Sequence, residues 1–88
     1  MQGGKTESRF GQTFADRRRR ERERKAEWDA RATSLALPLG WLRHVASRVE
    51  PGITGYRLRS IIADGREANE AERSAIEAAM RELASEQK

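Results

Sequence analysis

Apolar residues are scarce and irregular in the first third of the chain and periodic in its second half. Between Thr13 and Thr33 the chain carries dense charge and no Gly or Pro, and Phe14, Ala26, Trp28, Ala30 and Ala32 make no continuous stripe. A helix is expected there, capped by Thr13 with Asp16 in its first turn, and not burying itself. Its support would come from the opposite-charge pairs Asp16/Arg20, Glu21/Lys25 and Glu27/Arg31 at i,i+4, each about 0.2–0.5 kcal/mol. Residues 1–12, "MQGGKTESRFGQ", are Gly-rich and polar and predict a flexible tail.

Pro38 in "SLALPLG" ends this helix, and helical periodicity then begins. Leu42, Val45, Ala46 and Val49 fall at i, i+3, i+4, i+7 and predict a helix over 40–50, closed by Pro51-Gly52. Leu58, Ile61 and Ile62 predict a second over 54–64, with Thr54 as cap and Gly65 at the left-handed position after it. Asn69-Glu70-Ala71-Glu72 has capping-box form and opens a third over 70–85, with Glu72, Ile76, Ala79, Met80 and Leu83 on one side. The expected fold is therefore all-α: a flexible tail (1–12), an arginine-rich charged helix (13–33), and a three-helix, helix-turn-helix-like mini-domain (34–88).

Charge sharpens the division. The net formal charge is +4. Residues 1–33 and 34–66 are net basic and residues 67–88 net acidic, so one side of the molecule suits a polyanion. The chain has no Cys and one His, which excludes disulfides and thiolate metal sites and leaves no catalytic constellation. We expect no enzyme activity, cofactor or metal. No apolar run is long enough to cross a membrane, and the first ten residues lack a signal-peptide core; a cytoplasmic protein is expected.

The stretch "EPGITGYRLRSIIADGREANEAERSAIEAAM" resembles the second half of the helix-turn-helix unit of phage and plasmid repressors of the Cro/CI type. The resemblance covers about 45 residues. It implies Gly52 as the turn glycine, Ile53 seating the turn in the core, and Leu58 and Ile61 as inward residues of a recognition helix. It also implies DNA contacts from Thr54, Gly55, Tyr56, Arg59 and Ser60, with Arg57 and Arg66 beside them. Arg suits a guanine edge, and Tyr and Ser suit phosphates. The alternative is that Arg57, Arg59 and Arg66 are an ordinary solvated face.

At about 100° per residue, Arg17, Arg20, Arg24, Trp28 and Arg31 share one stripe of the charged helix, roughly 80° wide. "RRRRERERKAEW" is similar to the arginine-rich peptide of lambdoid phage N antitermination proteins. That resemblance implies RNA backbone contacts by Arg17, Arg18, Arg20, Arg24 and Lys25, and base stacking by Trp28. The alternatives for 13–33 are contact with DNA backbone or a protein surface, or a solvated spacer.

These readings lead to a small nucleic-acid-binding transcription regulator from a phage or mobile element, with DNA the favoured partner. One rival is an RNA-binding antitermination-type protein. The other is an inhibitor or accessory protein that docks on RNA polymerase, a ribosome or a CRISPR effector through residues 13–33. One short helix reads few bases, so a homodimer is expected, through Met80 and Leu83 or through "SLALPLGW".

Overall fold

The computed structural model describes the backbone of residues 2–87 and the side chains of residues 14–87. Within that span every regular element is a helix: α1 (Gln2–Ser34), α2 (Trp41–Val49), α3 (Gly55–Ile62) and α4 (Glu70–Glu86). Helix α1 begins at Gln2 and not at Thr13, so residues 2–12 continue the helix where a flexible tail was expected and Thr13 lies inside it instead of capping it; the stretch holds no Pro, and its glycines weaken a helix without forbidding one.

Each boundary has a local chemical cause. At the end of α1, Leu37 N–H donates to Ala32 O and Ala36 N–H to Thr33 O, both at 3.0 Å, the paired bonds of a Schellman motif. Ala36 holds its left-handed position at φ 54°, where glycine is usual. Pro38 then prevents resumption. Thr54 Oγ1 accepts from Arg57 N at 3.1 Å to start α3. Asn69 and Glu72 form a reciprocal capping box at the start of α4, with bonds of 2.7 and 3.0 Å.

The core is the set of apolar positions that periodicity selects, with two additions. Val45, Val49, Ile53, Leu58, Ile61, Ile62, Ile76, Ala79, Met80 and Leu83 are buried, and so are Trp28 and Ala32 of α1. Leu42 and Ala46 are partly buried against this cluster. Ile53 lies in the turn between α2 and α3 and fastens it to the core. Met80 and Leu83 are 0% and 2% exposed, so they belong to the chain's own interior and offer no dimer surface.

The burial of Trp28 overturns the expectation that the charged helix buries nothing of itself. An indole is the largest apolar surface on α1, and covering it is worth about 1.5–3 kcal/mol. Arg24, Trp28 and Arg31 of its stripe therefore turn inward, while Arg17 and Arg20 stay exposed. The ion pairing follows the docking: Asp16 pairs with Arg19 at 2.9 Å, Glu21 lies 3.5 Å from Arg66 and Arg31 lies 2.7 Å from Glu77. None of these is the i,i+4 pairing that spacing predicts: Asp16 takes the i,i+3 neighbour within α1, and Glu21 and Arg31 are drawn to partners from the α3–α4 loop and α4. The Arg31–Glu77 contact is Coulombic, without hydrogen-bond alignment.

Candidate nucleic-acid interface

Gly65 fixes where α1 meets the body. Its φ is +72°, and a Cβ added there would stand 2.0 Å from the carbonyl oxygen of Glu21. Only glycine satisfies both the left-handed backbone and the approach. Arg24 Nε donates to Gly65 O at 2.6 Å across the same junction. Three turns of α1 are thereby pinned from Glu21 through Trp28 to Ala32.

This docking divides the seven residues expected to contact nucleic acid from α1. Arg24, Trp28 and Arg31 face the body. Trp28 is 5% exposed, and the guanidiniums of Arg31 and Arg73 sit 5.4 and 5.9 Å from its ring centroid. The niche beside it, lined by Arg24, Arg66, Ala68 and Arg73 among others, has a volume of about 10 Å³. That is room for one water and not for a base. Arg17, Arg18, Arg20 and Lys25 are exposed.

The seven residues expected to contact DNA from 54–66 divide in the same way. Thr54, Gly55, Tyr56 and Arg59 are exposed, Tyr56 to 85%, on the side of α3 opposite its buried Leu58, Ile61 and Ile62. Ser60 is half-buried. Arg57 does not stand with the exposed set: its Nε and Nη2 donate to the two carboxylate oxygens of Glu72 at 2.9 and 3.0 Å, and Nη2 also reaches Glu67 O at 2.9 Å. The fork-to-fork pair with Arg57 and the backbone N–H of Asn69 hold the Glu72 carboxyl down at about 2, from its ordinary 4.5. Arg57 thus braces α3 against α4. Arg66 remains exposed but shares its charge with Glu21.

Gly52 lies in the turn between α2 and α3, as implied, but without a left-handed φ, and a Cβ there would stand 3.4 Å from Val49 O, an ordinary contact, so neither the backbone nor the space demands glycine. Comparison with family models, curated proteins and solved structures finds no match to the chain.

Sequence reasoning missed Arg43. It lies exposed on α2 and lines a groove with Tyr56 and Arg59, whose floor is Leu42, Ala46 and Leu58. An outward position on a periodic helix marks Arg43 as solvated, but only the packing of α2 beside α3 places it across from Arg59. Together they present two guanidiniums and a phenol around one groove. That set can bond phosphate oxygens and base edges.

Proposed function

We propose that the chain is a small non-enzymatic DNA-binding regulator that acts by occupancy, with α2, the 50–54 turn and α3 used as a helix-turn-helix. The observation that carries this reading is the exposure of Tyr56 and Arg59 on α3 beside Arg43 of α2, while the remaining face of α3 is buried. Arg59 is the candidate for a base edge, with Tyr56, Thr54 and Arg43 the candidates for phosphates. The exposed arginines of α1 add sequence-independent attraction through release of counterions from the duplex. A role in transcription, in a phage or other mobile element, is part of the same proposal. Burial of Trp28 counts against the RNA-hairpin alternative, since that mode needs the indole ring to meet a base.

The test is a gel-shift titration of the protein against random-sequence duplex DNA at two salt concentrations. Wild type is expected to bind at low salt and weaken steeply as salt rises. Arg59→Ala should weaken a selected site by about 1–3 kcal/mol and Tyr56→Ala by less. Absence of duplex binding at low salt would refute the proposal.

A further inference from the structure

The docking of α1 creates a second groove, between its N-terminal side and the α3–α4 loop. Arg17, Arg20, Arg24 and Arg66 line it, with Asp16, Glu21 and Glu67 on the same walls and a volume of about 570 Å³. Of the carboxylates, Asp16 is paired with Arg19 and Glu21 with Arg66. Arg24 is committed to Gly65 O. Arg17 and Arg20 are exposed and make no ion pair among the described residues. One helical turn before Arg17, and adjacent to both Arg17 and Arg18 by i,i+3 and i,i+4 spacing, stands Phe14, 59% exposed.

An aromatic ring left in solvent next to a cluster of guanidiniums has the two parts of a single-strand site: a platform for a base and cations for its phosphates. We propose that this groove and Phe14 form a second DNA subsite that takes an unpaired strand, with Arg17 and Arg20 on its phosphates and the Phe14 ring stacked on a base. The subsite rests on the reading that the chain binds DNA, and it is distinct from the α3 surface. An unpaired strand is the fitting ligand because stacking on a ring gains about what unstacking a duplex step costs. In a paired duplex the two cancel. At a single-stranded flank the gain is uncompensated.

The experiment measures fluorescence anisotropy with two labelled DNAs of the same sequence, one a blunt duplex and one carrying a single-stranded flank. Wild type should bind the flanked form more tightly. Phe14→Ala should lower affinity for the flanked DNA about tenfold and leave the blunt duplex unchanged, with Phe14→Trp retaining the preference. Arg17→Ala with Arg20→Ala should reduce the salt dependence on the flanked DNA. A 2-aminopurine in the flank should be quenched by wild type and not by Phe14→Ala. Equal affinities of wild type for the two DNAs, or an unchanged flank preference in Phe14→Ala, would overturn the subsite. The α3 reading is judged separately, by the response of the blunt duplex to Arg59→Ala and Tyr56→Ala.

Discussion

Residues 14–23 and 24–32 of α1 are composed of nearly the same residue types, arginine, glutamate and alanine with one aromatic each, yet they have opposite fates. The first stretch keeps Phe14 and the side chains of Arg17, Arg18, Arg20 and Arg22 in solvent. The second buries Trp28 and Ala32 and commits Arg24 and Arg31 to the body. The difference is what each meets: the Gly65 carbonyl and a buried apolar surface for the second stretch, and for the first only the edge of the α3–α4 loop, where Glu21 packs on Gly65 and pairs with Arg66. Arginine density alone therefore does not identify a ligand-binding face, because a long side chain can lay its stem along a domain and spend its head group on the domain's own carbonyls and carboxylates.

The comparison breaks most sharply at Trp28. Trp28→Ala should cost about 3–5 kcal/mol in urea unfolding, and amide exchange across 24–32 should rise to the level of 14–23. Gly65→Ala should cost about 2–3 kcal/mol, from a side chain in the left-handed region and a Cβ against the Glu21 carbonyl. An unchanged unfolding midpoint for this variant would show that α1 does not dock at Gly65.

Glu72→Gln tests the brace between α3 and α4. The Glu72 carboxyl is held at about 2 when folded against 4.5 ordinarily, so its contribution is fully present above pH 4.5 and is lost as pH falls from 4.5 toward 2. Glu72→Gln should lower stability at neutral pH and flatten the acid limb of a stability-against-pH curve. Ala36→Gly should raise stability by about 0.5–1 kcal/mol, since glycine relieves the φ of 54°. At the small end, Arg18→Ala and Arg22→Ala should change stability by less than about 0.5 kcal/mol while reducing the salt dependence of duplex binding. Such a pair of results would separate the solvated stretch of α1 from the docked one.

The three helices of the body were legible because each buries a face whose repeat is written locally. Val45 and Val49, Leu58 and Ile61, and Ile76, Ala79, Met80 and Leu83 are buried where a 3.6-residue period places them. Caps at Thr54 and Asn69 and the left-handed Gly65 were equally local. The site was legible only in part. Tyr56 and Arg59 are exposed, but nothing in the spacing distinguishes Arg59 from Arg57, two residues away, which is spent on Glu72. Within the arginine stripe that periodicity places on one face, Arg24, Trp28 and Arg31 turn to the body while Arg17 and Arg20 stay in solvent, a division that no local spacing marks.

By itself the sequence determined the all-helical class, the boundaries of the body helices and most of the core, since these follow from residue chemistry and short-range periodicity. Tertiary structure decided which cations are available. Arg24 meets Gly65 across 41 positions of chain, Arg57 meets Glu72 across 15, and Trp28 fills a space beside α4's Arg73. A charge becomes a brace or a contact for a ligand according to the partner that folding brings within a few ångströms, and that partner lies beyond the reach of any local pattern.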